Sequence, residues 1–425
     1  MIMGVSSNWH RIGMTAKNKY NQMNNFINKS VYYFFLFSAL LVFIFRFVYG
    51  IIIDIGGDEK YFSLANDIIL HKGLFYALQE GVVSIPFVLF TYPLSYIIPD
   101  YLAFRIIAYL FALVLLYYFY FYRKANFMFI FFLIGFMGMT PTFSIGTNDA
   151  LFFTCLTIFF SEVYHLVFKK QFNFSLAVSV LIIALFTRSL ILVYLPTIIF
   201  ALFIIYKNRA FYKKNIILPS ITFIVLIVLN TPSILHSHKL SYDSKPSPEG
   251  ITSTWAQRQY LSQLYQNKNQ LPKGEWVSWE EVDVYLKDNG KDSLPEGIAE
   301  TVFFDINLTI NEFFKDLLES FLKGFRETSF ILPIVLVYIL KQIKEKKILD
   351  TNVLFICSLF VPILIIAFII INSIETRWLT SSFVILSLFY FDSNILKNSK
   401  WLQTIVIGVF SLFCYFFLYR IIAWN

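Results

Sequence analysis

Long apolar runs separated by short polar breaks repeat along most of the chain, and their length suits helices crossing a hydrocarbon layer about 30 Å thick. The first run, 31 to 53, is followed by a polar stretch in which Phe62, Ala65 and Ile69 recur at helical spacing, so a short helix is predicted there. Further along that stretch, 81 to 98 is apolar but carries Pro86 and Pro93, which favour a helix lying on or dipping into the membrane face. Runs then follow at 101 to 122, 126 to 140, 150 to 168, 174 to 187, 190 to 206 and 216 to 229, and again at 329 to 340, 351 to 372, 378 to 390 and 402 to 423. This pattern predicts an all-α polytopic membrane protein with about eleven transmembrane helices, juxtamembrane helices in its first outer loop, and one larger extramembrane region. That region is 230 to 328, which is polar, acidic and Trp-bearing and has no spanning run. Its Trp255, Trp276 and Trp279 are either core or interfacial residues. The chain thus divides into a tail (1–30), an N-terminal membrane core (31–229) with its first outer loop at 54–100, the extramembrane region (230–328) and C-terminal membrane helices (329–425).

Composition supports the class: 57% of residues are hydrophobic and only 15% charged, far from a soluble domain. The formal charge of +8 would suit a nucleic-acid binder, but its placement argues otherwise. Basic residues gather in the tail (Arg11, Lys17, Lys19, Lys29), at Arg123 and Lys124, at Lys169 and Lys170, in 207 to 214, in 341 to 347, and at Lys397 and Lys400. These are the loops that fall on one side, whereas the short loops of the other side are acidic, so the basic side is cytoplasmic and contacts anionic lipid, with no nucleic-acid partner expected. No small-residue cleavage site follows the first run, so the tail reads as uncleaved. Cys155, Cys357 and Cys414 all lie in apolar runs and read as small packing residues.

The candidate chemistry lies on the opposite side. Asp54, Asp58 and Glu59 follow the first span, with Gly56 and Gly57 allowing a sharp turn; Asp149 comes from a second outer loop, Arg188 from a third, and Glu375 with Arg377 from a late one. Carboxylates and guanidiniums at a membrane face lose hydration, so each needs a partner, and loops supplying both signs can build a pocket. Asp58 and Asp149 are also placed to be helix caps. His71, His236 and His238 lack a third ligand at fitting spacing, and Arg46 is an intramembrane charge near the outer end of its helix.

Three short stretches carry a resemblance. Gly57-Asp58-Glu59-Lys60-Tyr61-Phe62-Ser63-Leu64-Ala65 resembles the first-outer-loop motif of the GT-C class of polytopic glycosyltransferases, which includes protein O-mannosyltransferases and the aminoarabinose transferase of lipid A. Thr147-Asn148-Asp149-Ala150-Leu151 is similar to the family's Thr-Asp-Ala-Leu, with Asn148 inserted. Glu375-Thr376-Arg377-Trp378-Leu379 resembles its Glu-x-Arg-Tyr-Leu, with Trp378 for Tyr and Ser381 where a Pro is common. The resemblance implies transfer of a sugar from a polyprenyl-phosphate donor, taken from the lipid, to a glycan, lipid or protein acceptor. It implies a multi-pass protein of a bacterial inner membrane acting at the outer face. Asp58 and Glu59 would then be catalytic, Asp58 as base; Arg188 and Arg377 would bind the donor phosphate; Asp149, Glu375 and Tyr61 would support them; and a divalent cation on Asp58, Glu59 and Asp149 is an open expectation. A membrane polysaccharide polymerase or ligase is the alternative, and a transporter a more distant one.

Overall fold

A computed structural model describes residues 6–53, 58–81, 83–211, 213, 215–242, 250–347, 349–393 and 399–423, with side chains from Lys29 onward except at Phe211. All regular structure among the described residues is helical. Asp54, Gly56 and Gly57 lie outside them.

One long helix, α1 (Ser6–Ile52), leads into three short ones, α2 (Glu59–Lys72), α3 (Leu74–Glu80) and α4 (Ile85–Ser95). Gly81 stops α3 in the left-handed region at φ 65°, and Pro86 sits in the first turn of α4, where its missing N–H costs nothing. At about 1.5 Å per residue α4 falls well short of a bilayer crossing, and it packs on α5 and α8. Next come α5 (Asp100–Tyr117), which ends in a π-helical turn, then α6 (Phe127–Met139), α7 (Asp149–Lys169), α8 (Phe174–Thr187), α9 (Ile191–Lys207) and α10 (Ile217–Ser237).

Six helical stretches among the described residues are long and apolar enough to cross a membrane, as befits a multi-pass membrane protein; α4, α6, α8 and α9 are shorter apolar helices. Helix α7 is the axis of the bundle. Its side chains from Asp149 to Val167 are all buried, against α5, α8, α9 and the later helix α18 (Thr380–Asp392). By contrast, α1 and α10 expose Ile44, Val48, Ile224 and Val228 on their outward faces, a surface suited to lipid and not to water.

The polar region contains α11 (Trp255–Asn267), α12 (Trp279–Asn289) and α13 (Ile298–Phe304). Capping boxes open the first two, from Thr254 with Gln257 and from Ser278 with Glu281. Its small core is made by Tyr260, Leu261, Val277, Val282, Leu286 and Leu294, and it closes on Ile370 of the membrane part. Helix α10 continues through Asn230 to Ser237, and α14 (Ile306–Thr328) is turned inside out relative to a soluble helix. Ile306, Ile310, Phe314, Leu318 and Leu322 form an exposed apolar stripe along α14, whereas Glu312, Asp316, Ser320 and Glu327 face inward. The chain ends with α15 (Ile331–Lys344), α16 (Thr351–Ser358) and α17 (Val361–Phe368), α18, and α19 (Lys400–Ala423). The break between α16 and α17 comes at Pro362, within the expected span 351 to 372.

Candidate active site

The adjacent residues Asp58 and Glu59 part company. Successive helical positions point about 100° apart, and here they meet different partners. Glu59, the first residue of α2, is buried and takes both arms of Arg105 from α5: Nε donates to Oε1 at 2.7 Å and Nη2 to Oε2 at 2.5 Å. The Gly146 amide also donates to Glu59 Oε1 at 2.6 Å, and Arg105 Nη1 donates to the carbonyls of Gly50 and Ile53 at the end of α1. One buried ion pair therefore ties together the end of α1, the start of α2, α5 and the loop before α7. Gly146 has no room for a side chain, since a Cβ there would lie 2.5 Å from that of Phe104.

Asp58 occupies the N-cap position of α2, but its side chain makes no capping hydrogen bond. It accepts instead from Arg377 Nη2 at 2.7 Å. The same guanidinium donates from Nη1 to Asp149 Oδ2 at 2.9 Å and from Nε to Glu375, so three carboxylates hold one buried cation. Asp149 is likewise not the cap of α7, where Asn148 holds that position; its other oxygen pairs with Arg188, just past the end of α8. Burial opposes the Arg377 charge, but Glu375 and Asp58 outweigh it and hold the guanidinium above its ordinary pKa. Asp149 is fully enclosed, whereas Asp58, Glu375 and Arg188 retain some exposure at the edge of the cluster. Asn148, the inserted residue, donates to the Thr187 carbonyl at 3.0 Å and so helps fix the backbone that carries Arg188.

A cavity of about 500 Å³ opens beside this cluster and shares Glu375 and Arg377 with it. Arg46 of α1, Lys323 and Arg326 of α14, and Arg420 of α19 also line it, along with Ile53, Met139, Phe417 and Ile421. Five cations against an apolar wall suit an anionic group carried on a hydrocarbon chain. Glu327 lines the same cavity. It is buried, it accepts from Thr376 through Oε1, and its Oε2 has no hydrogen-bond partner among the described residues. Burial pushes its pKa up to about 7, against the opposing effects of Thr376 and Lys323.

The structure therefore gathers Asp58, Asp149, Arg188, Glu375 and Arg377 from four segments, and sets Glu59 apart as a partner of Arg105. Tyr61 lies half-buried one turn into α2. The cation site on Asp58, Glu59 and Asp149 does not fit: Glu59 faces Arg105, Asp58 and Asp149 face guanidiniums, and no three metal-ligating side chains come together among the described residues. His71 bonds its own helix through Asp67, and His236 and His238 are exposed. Cys155 and Cys414 are buried and Cys357 partly so, as expected of packing residues.

Several residues of the site were not foreseen. Arg105 sits inside an apolar run, where a lone charge already signals a buried partner. Lys323, Arg326 and Arg420 lie far from Arg46 along the chain, and nothing local links them to it. A second buried network, missed for the same reason, lies near the other end of α7: Glu162 accepts from Tyr118 and Arg123, at 2.7 and 2.9 Å. Compared with protein-family models, curated proteins and solved structures, the chain matches none.

Proposed function

We propose that this protein is a membrane glycosyltransferase that moves a sugar from a polyprenyl-phosphate donor to an acceptor hydroxyl at the outer face of a bacterial inner membrane. The observation that carries the reading is the junction of a carboxylate cluster with a cation-rich, apolar-walled cavity. In the reaction, the acceptor oxygen bonds to the anomeric carbon as the bond from that carbon to the phosphate oxygen breaks. The acceptor proton passes to Asp58 and the polyprenyl phosphate leaves as the anion. Arg377 stands between the two halves: it faces Asp58 on one side and lines the cavity on the other. A donor phosphate that draws Arg377 toward itself leaves Asp58 less neutralised, and a carboxylate that loses its cation becomes more basic. Donor binding thus prepares the base. Arg188 and Arg46 are suited to hold the leaving phosphate, because Arg keeps its charge when desolvated. Glu59 serves by fixing α2, and with it Asp58. The full reading keeps about eleven membrane passes, with α6, α8, α9, α15 and α18 added to the six longer stretches.

A polysaccharide ligase or polymerase using a lipid-linked donor is a second reading, favoured by Lys323 and Arg326 entering the cavity from the 230–328 region. The test supplies purified protein in lipid vesicles with polyprenyl-monophosphate hexoses and pentoses, and in parallel with diphosphate-linked glycans. Release of polyprenyl phosphate by wild type, reduced on the order of a hundredfold in Asp58→Asn with folding intact, is the expected result. Turnover of the diphosphate-linked glycans alone would favour the ligase, and no turnover of either donor would sink both readings.

A further inference from the structure

The polar region carries an aromatic cluster that its own core does not use. Trp255 and Trp276 stack with ring centroids 5.0 Å apart, and Trp279 lies 6.0 Å from Trp255. The guanidinium of Arg258 stands over all three rings, 5.6, 5.8 and 4.9 Å from their centroids. None of the three indoles belongs to the buried core of this region, and all are partly exposed. Arg258 spends only Nε on the protein, donating to the Val277 carbonyl at 2.8 Å; its two Nη groups make no hydrogen bond among the described residues. A cation held by three aromatic rings, with its outer donors open, forms a shelf that is apolar on its exposed ring surfaces and donating at its centre.

The shelf is tied by hydrogen bonds to the segment that leads to the candidate active site. Helix α11, which carries Trp255 and Arg258, receives the segment leading to Arg377: Asn372 N donates to Gln259 Oε1 at 2.9 Å, and the Asn372 side chain meets Gln266 and the Glu275 carbonyl. Tyr61 of α2, three residues beyond Asp58, acts electrostatically on Arg258. Burial draws the Arg258 pKa below its ordinary value, while Tyr61 and Glu280 act against that shift.

We propose that Trp255, Trp276, Trp279 and Arg258 form the acceptor subsite, and that the acceptor is a carbohydrate chain. A pyranose ring lays its C–H face on an indole while the Arg258 Nη groups donate to its hydroxyl or carboxylate oxygens. This inference rests on the glycosyltransferase reading. A hydrocarbon acceptor is disfavoured because covering the open Nη donors with apolar surface leaves them unsatisfied. A sugar satisfies both the faces and the donors.

The test uses the full chain in detergent, with chitohexaose and a glucuronate-containing hyaluronan hexasaccharide as probes and a Ser/Thr-rich peptide as control, and binding read by calorimetry. Wild type is expected to bind at least one hexasaccharide saturably. Trp279→Ala and Arg258→Gln each weaken binding about tenfold or more, a loss worth about 1.4 kcal/mol, without moving the melting temperature. If the Ala variant melts early, Trp279→Phe and Arg258→Lys replace the pair and should show graded losses. In a transfer assay the same changes raise the acceptor KM and leave acceptor-independent donor hydrolysis unchanged, which a merely structural role would not do. Binding of neither hexasaccharide, wild-type binding in the variants, or binding of the peptide in their place overturns the inference. Sugar binding that depends on the cluster, in a protein that transfers nothing, upholds the subsite and refutes the enzyme; transfer with an unchanged acceptor KM does the reverse.

Discussion

Replacing Glu59 by Gln keeps the shape of the side chain and removes the charge that Arg105 faces. The two side chains are 3% and 2% exposed, so water cannot take over the lost interaction. In the native protein Glu59 accepts at 2.7 and 2.5 Å from Arg105 and at 2.6 Å from the Gly146 amide. Gln retains one acceptor oxygen and turns an NH₂ toward a donor, so the buried guanidinium loses the counter-charge of Glu59. Breaking a buried pair in this way costs about 3 to 5 kcal/mol. In a chain of this size that corresponds to a melting temperature lower by on the order of 5 °C. The assay is thermal unfolding of the detergent-solubilised protein, with Asp58→Asn in parallel. Asp58 sits at the edge of its cluster and Asn preserves its size, so that variant should melt near wild type while losing turnover. Removing Arg105 as well should cost less than the sum of the single changes, because no unpaired charge then remains. A Glu59→Gln protein that melts as wild type yet is inactive would refute the reasoning, since Glu59 would then act on substrate and not through the scaffold.

Three further outcomes follow from the geometry. Arg377→Lys should reduce donor turnover at least about tenfold, because one ammonium cannot serve Asp58, Asp149 and Glu375 together; unchanged kinetics would remove Arg377 from the site. Gly146→Ala should destabilise by about 1 to 3 kcal/mol, as its Cβ meets Phe104 Cβ at 2.5 Å and the Arg105 amide at 3.1 Å; a neutral effect in the same melting assay would show that the Glu59–Arg105 junction is loosely packed. For Glu327, the folded protein holds its proton up to about pH 7 against an ordinary value of 4.5, so its contribution to stability is full at low pH and is lost as pH rises through that window, at up to about 1.4 kcal/mol per pH unit. Glu327→Gln mimics the protonated form and should gain stability relative to wild type between pH 5 and pH 8; a melting difference independent of pH would contradict a buried, protonated Glu327.

What the sequence by itself determined follows from the cost of placing groups in or beside hydrocarbon. Backbone polar groups in lipid must pair within the segment, so apolar runs of spanning length declare helices. Charged residues are so few in such a chain that those at the helix ends stand out, and Asp58, Asp149, Arg188, Glu375 and Arg377 were legible one by one without any view of their partners. Tertiary structure alone decided which of two adjacent carboxylates faces the cluster. The α2 axis sets Asp58 toward Arg377 and Glu59 toward Arg105, a direction no local pattern encodes. It also assembled the cavity, whose cations come from α1, α14 and α19, far apart along the chain. Helix α14 shows the physical reason most plainly. Its alternation of apolar and charged residues is that of a soluble amphipathic helix, and the sequence states how wide each face is but not what surrounds it. Packing against α17 turns the carboxylates of α14 inward and leaves Ile310, Phe314 and Leu318 outside, because the neighbouring helix, and not the repeat, decides which face is covered.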